Sequence, residues 1–112
     1  MKCFAQALDL KDNPELIALY RAQHQAVWPE VVAGLRAIGI QRMRIWLHGN
    51  RLFMYAEAAD DFDPARDYQR YAQDPRCREW DLLMRTFQQP VPGAPAGAWW
   101  TPMELVFDLE QA

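Results

Sequence analysis

Residues 40–58 are written to fold back on themselves. From Ile40 to His48 the side chains alternate, with Met43, Ile45 and Leu47 on one face and Arg42, Arg44 and Trp46 on the other. Gly49-Asn50 follows, a pair suited to a tight turn. The alternation then resumes from Arg51 to Ala58, with Leu52, Met54 and Ala56 against Phe53, Tyr55 and Glu57. A period of two on both sides of a Gly-Asn pair predicts an antiparallel hairpin.

The flanking segments can be placed around it. Lys2 to Leu10 reads as a strand, with Phe4, Leu8 and Leu10 of one parity and the small Cys3, Ala5 and Ala7 of the other. Asn13-Pro14 is a helix start, an N-cap followed by proline at the first helical position. The helical stripe then runs Leu16, Ile17, Tyr20, His24 and Val27. Pro29 ends or kinks that helix and opens a second segment, Val31, Val32, Leu35 and Ile38, closed by Gly39. Asp63-Pro64 repeats the start signal before a short polar helix, Ala65 to Gln73. Asp74-Pro75 starts another, with Trp80, Leu83, Met84 and Phe87 as its apolar stripe. Residues 90–97 are rich in Pro, Gly and Ala and predict an irregular connection. Trp99 to Leu109 is expected to be the last strand, with Met103, Leu105, Phe107 and Leu109 on one face.

Strand, helix, strand, strand, helix, strand is the βαββαβ order of the ferredoxin-like α+β fold, a four-stranded antiparallel sheet with helices on one face. The helix-free face would carry Arg42, Arg44, Trp46, Phe53, Tyr55 and Glu57. Apolar patches of that kind are usually covered, so a homodimer packed sheet to sheet, of the dimeric α/β barrel type, is expected.

At 112 residues the chain is expected to form one domain, 1–112. Its net charge of -3 without a basic cluster argues against a nucleic-acid partner. No apolar run approaches the roughly 18 residues needed to span a membrane, and no secretory leader pattern opens the sequence. Cys3 and Cys77 are far apart and outside any CxxC, which reads as two reduced thiols in a cytoplasmic protein.

Chemistry has few places to reside. Serine is absent, so a serine triad is excluded, and no glycine-rich phosphate loop occurs. No second histidine or carboxylate cluster stands at ligand spacing from His24, so no metal is expected. Arg76 and Arg78 beside Cys77 would lower its thiol pKa, although an incidental thiol is the simpler reading. His48 adjoins the turn and should be solvated. His24 is different: Tyr20, His24 and Trp28 fall at i, i+4 and i+8, one face of a continuous helix. That face is either ordinary core or the beginning of a ligand site. Among the carboxylates, Glu57, Glu79, Asp81 and Asp9 are the ones near a possible cleft; solvated surface is the plainer reading of Asp9, Glu79 and Asp81, and Glu57 reads as either an interface or a site residue.

The series Tyr20-x-x-x-His24-x-x-x-Trp28-Pro29-Glu30, Arg51-Leu52-Phe53 with Glu57 downstream, and Cys77-Arg78-Glu79-Trp80 resembles the L-rhamnose mutarotase family along almost the whole chain. Phe87-Gln-Gln-Pro-Val-Pro and the Trp100-Thr-Pro-Met-Glu-Leu-Val-Phe ending resemble members tuned to L-fucose. The resemblance implies a ferredoxin-like homodimer that interconverts sugar anomers without a cofactor. It implies that His24 is the proton donor, that Tyr20 contacts the sugar, and that Trp80 is the first of two adjacent sugar-contacting tryptophans. Asp81 stands where the second tryptophan is expected, and Met43 where the rhamnose enzymes carry a tyrosine. Those departures leave the reaction class standing and point to a differently configured 6-deoxy sugar such as L-fucose. Glu57, Asp81, Tyr20 and water remain open as the base. The competing class is a non-catalytic ferredoxin-like dimer whose aromatic pocket binds heme or another small apolar ligand.

Overall fold

The computed structural model describes residues 1–111. Its elements are β1 (Lys2–Leu10), α1 (Pro14–His24), α2 (Pro29–Ala37), β2 (Ile40–His48), β3 (Arg51–Ala58), α3 (Pro64–Tyr71), α4 (Pro75–Arg85), β4 (Gln88–Gln89) and β5 (Thr101–Pro102), with a final 3₁₀ turn at Leu109–Gln111. The sheet runs β2-β3-β1, and β4 and β5 share the remaining edge of β1. Every pairing is antiparallel. This is the α+β, ferredoxin-like arrangement.

Three of the four helices begin as their sequences require. The Asn13, Asp63 and Asp74 side chains each accept from backbone N–H groups of the first turn, and each is followed by proline. Gly39 ends the α2 segment at φ 105°, a conformation that a side chain resists, and its carbonyl accepts from Ala59 N–H.

The hairpin pairs as its period predicts, Leu47 opposite Leu52 and Met43 opposite Ala56. A register shift between Ile40 and Arg42 absorbs one residue. That bulge lets Ile40 and Met43 face the same side despite their opposite parity. Phe4, Gln6, Leu8 and Leu10 of β1 share the helix-facing side with Leu52, Met54, Ala56 and Ala58 of β3. Against them pack Tyr20, Val31, Phe62, Tyr71, Trp80 and Met84 from the helical layer.

Two expectations are corrected. The continuous helix carrying Tyr20, His24 and Trp28 does not exist. Its last turn tightens, with Gln25 and Ala26 N–H donating to carbonyls three residues back, and Trp28 is extended before Pro29. The last strand is also not a single run from Trp99 to Leu109. Gln88-Gln89 pairs with Leu10 and Asp9, the chain leaves the edge for residues 90–100, and Thr101-Pro102 returns opposite Ala7 and Gln6. Pairing ends where Met103 N–H donates to the Ala5 carbonyl. No helix among the described residues is long and apolar enough to cross a membrane.

Candidate active site

Between the helices and the sheet lies a cavity of about 850 Å³. Its walls include Tyr20, His24, Met43, Trp80 and Asp81, so five of the six site residues expected from sequence meet in one place. Glu57 is not among them. It lies on the opposite sheet face, accepting from the Tyr55 hydroxyl at 3.0 Å and from Arg42 at 3.4 Å. Strand parity is the cause, since Glu57 alternates with the helix-facing Ala56 and Ala58.

The last turn of α1 sets His24. Its Nδ1 lies 3.0 Å from the Tyr20 carbonyl oxygen. A carbonyl only accepts, so Nδ1 carries the proton and Nε2 is the atom left to titrate. The imidazole leans on the Tyr20 ring at 4.2 Å between centroids and meets the Trp80 ring edge-on at 5.5 Å. Burial among these rings lowers the His24 pKa below its usual 6.5, only partly opposed by the carbonyl. Near neutral pH the ring is therefore uncharged. Tyr20 is itself buried, which raises its phenol well above its ordinary value despite a hydrogen bond with Gln88.

Trp28 stands outside the cavity walls. Its ring packs edge-on to Trp80 at 5.2 Å, and the Arg76 guanidinium lies 3.9 Å above it. The aromatic row is thus Tyr20, His24, Trp80, Trp28, assembled from α1, α4 and the α1–α2 corner rather than along one helix.

Other lining residues are ones that sequence reasoning passed over. Tyr68 and Tyr71 from α3, Arg85 from α4, Gln88, and Trp99 and Trp100 from the residue 90–100 excursion all line the cavity. Asp81 is half-buried. Burial pushes its carboxyl pKa up, opposed by the charge of Arg85 and by a 3.4 Å contact from the Tyr71 hydroxyl. Asp9 is also buried rather than solvated, held by two guanidinium N–H groups of Arg51 at 2.8 and 3.2 Å. Glu79 stays exposed and pairs with Arg76. Cys77 is fully buried with its thiol donating to the Glu30 carbonyl. Burial raises its pKa, overturning the expectation that Arg76 and Arg78 would lower it.

A family model of L-rhamnose mutarotase matches residues 3–109. The chain belongs to the L-rhamnose mutarotase family, a family of isomerases. Within that family it is 40% identical to an L-fucose mutarotase of Xanthomonas campestris pv. campestris, over 100% of this chain and 91% of that one. It is 50% identical to a UPF0734 protein of Dictyostelium discoideum, over 97% of this chain and 90% of that one. The crystal structure of an L-rhamnose mutarotase from Formosa agariphila superposes with a TM-score of 0.70 at 21% identity, covering 97% of this chain and 99% of that one, a likeness of fold.

Proposed function

We propose that this member of the family interconverts the α and β anomers of a 6-deoxy-L-hexose, L-fucose before L-rhamnose, with His24 moving the proton. What carries the reading is a single arrangement: a tautomer-fixed, uncharged imidazole beside the Trp80 ring in the wall of a cavity roomy enough for a monosaccharide.

Mutarotation opens the ring at C1. As the anomeric O–H loses its proton, C1–O5 breaks and the C1 carbonyl forms; the ring oxygen leaves with a proton and later re-adds to the other face. The two oxygens share C1, so one nitrogen can serve both. Nε2 of neutral His24 accepts the anomeric proton and, now as the imidazolium, donates it to the ring oxygen. The role of proton donor implied by the resemblance is the second half of that transfer. Tyr20 suits positioning rather than proton removal, because its phenol is held protonated. Glu57 faces away and takes no part. Trp80 offers an apolar surface for the C–H side of the sugar, Asp81 accepts from hydroxyls, and Met43 leaves room where a tyrosine would fill the cavity.

The same reading includes a homodimer in the cytoplasm. Trp46 is 50% exposed and Phe53 38%, their rings 5.6 Å apart on the helix-free face. Residues 103–109 leave Leu105, Val106 and Phe107 largely in solvent. A second copy is the cover proposed for both.

Saturation-difference NMR over L-fucose, L-rhamnose, D-galactose and D-ribose tests the activity. Accelerated anomer exchange is expected for the 6-deoxy-L-sugars, L-fucose foremost. Exchange at the uncatalysed rate for all four would end the proposal.

A further inference from the structure

Two rings grip Trp80. His24 meets it edge-on at 5.5 Å between centroids and Trp28 at 5.2 Å, with interplanar angles of 68° and 69°. Both belong to one short corner: His24 is the last residue of α1, and Trp28 stands just before α2. Trp28 occupies the N-cap position, where Ser, Thr, Asp or Asn would accept from the first turn, yet its side chain caps nothing. Its ring is engaged by the Arg76 guanidinium, which lies over it at 3.9 Å from the centroid. Arg76 is held in turn by two carboxylates, Glu79 one turn further along α4 and, at 3.9 Å, Glu30 in the first turn of α2. A planar guanidinium can stack on an aromatic face while its N–H groups reach carboxylates. Beside it the Cys77 thiol donates to the Glu30 carbonyl at 3.4 Å, which ties the starts of α2 and α4 together a second time.

Neither Arg76 nor Trp28 lines the cavity. We infer that both are positioning residues for the site inside it: Arg76, steadied by Glu30 and Glu79, holds the Trp28 ring, and Trp28 fixes the tilt at which Trp80 meets His24 and the sugar. Trp80 is 5% exposed, so its ring can turn only into space that a neighbour gives up. Of its two ring neighbours His24 is at the reacting end, and Trp28 is the one outside the cavity. The freedom of Trp28 is limited by a group at the protein surface, since Arg76 is half-exposed. Exposed ion pairs contribute little to stability. The clamp therefore acts on ring orientation more than on the fold, and the two can be measured apart. This inference rests on the monosaccharide reading above.

Arg76→Leu, Trp28→Leu and the double variant are compared with the wild-type chain. L-Fucose binding is read by ligand-observed saturation transfer, anomer exchange by NMR, indole packing by near-ultraviolet circular dichroism, and stability by urea unfolding. Trp28→Phe, which keeps a ring at the corner, replaces Trp28→Leu if the latter does not fold. Arg76→Leu should weaken L-fucose binding about two- to fivefold, as expected for a cation over an exposed ring. Trp28→Leu should weaken it about two- to tenfold, as expected for an aromatic pair. Arg76→Leu removes no indole, yet it should change the indole bands while leaving stability close to wild type. The double variant should bind no worse than Trp28→Leu alone, because Arg76 acts through that ring. Losses that multiply in the double variant would overturn the clamp. So would an Arg76→Leu protein with wild-type indole bands, or one that binds L-fucose as the wild type does. Changed bands in Arg76→Leu, with a wild type that binds none of the sugars, would remove the monosaccharide reading and leave the clamp standing.

Discussion

Nδ1 of His24 and the carbonyl oxygen of Tyr20 stand 3.0 Å apart across one turn of the same helix. Residues four apart on a helix stand one above the other, and a carbonyl can only accept, so the contact places the proton on Nδ1. The spacing of four residues thus leaves Nε2 oriented and free to exchange a proton.

The pH dependence follows from that geometry. Burial lowers the His24 pKa below 6.5, and the resting enzyme needs the neutral ring. Exchange of L-fucose should be level from about pH 7 upward and fall as pH drops through a value below the unperturbed ~6.5. Stability has the same sign. The unfolded chain binds this proton more readily, so the neutral ring's contribution is present above 6.5 and is lost as pH falls toward the folded pKa. Exchange rates measured by NMR from pH 4.5 to 8 check this; a rate that instead rises on acidification would contradict a neutral resting imidazole.

His24→Ala should slow exchange by about 10²–10⁴-fold, the usual worth of a positioned proton-transfer group. The fold should tolerate the change, because the ring is only half-buried and alanine is the best helix former. Thermal unfolding by circular dichroism accompanies the exchange assay. Wild-type exchange in a folded variant would assign the proton transfer to another group.

What the sequence disclosed depends on the range of the interaction. Period two around Gly49-Asn50 and the three caps before proline are local, and they place the hairpin, α1, α3 and α4. The site residues on α1 and α4 were legible through family resemblance and helical spacing. Tyr68 and Tyr71 were not, because α3 is strongly polar and its inward face matters only once α4 has packed beside it. Trp99 and Trp100 were hidden for another reason: an irregular eleven-residue excursion, 90–100, returns them to the cavity. Glu57 misled because its neighbours Ala56 and Ala58 suggested an enclosed position, whereas parity puts it on the far face. The alternation of Met103, Leu105 and Phe107 reported two unlike environments but could not say whether one chain supplies both.

Gly34 tests how closely α2 and α4 approach. A Cβ there would lie 2.8 Å from the Cys77 sulfur and 3.2 Å from the Tyr71 ring. Two effects compete in Gly34→Ala. Helix propensity favours alanine by up to about 1 kcal/mol, and overpacking costs about 1–3 kcal/mol. The clash is against a fully buried sulfur, so net destabilisation is expected. In a Cys77→Ala background the tighter contact is gone, and the same substitution should become neutral or stabilising. Urea unfolding of the four proteins measures the coupling. Additive effects would mean that the sulfur is not what excludes a side chain at Gly34.

Trp46 tests the second copy. Its ring and that of Phe53 form an apolar pair on a sheet face that leaves both partly exposed among the described residues. Stable interfaces remove about 800 Å² from each partner. Burying an unpaired charge in a mostly apolar contact is costly, so a glutamate in place of Trp46 should weaken it. Sedimentation at micromolar concentration should therefore give the mass of two chains for the wild type and of one for Trp46→Glu. A monomeric wild type would remove the proposed dimer, while a Trp46→Glu protein that still pairs would move the contact off this face and toward the exposed residues 103–109.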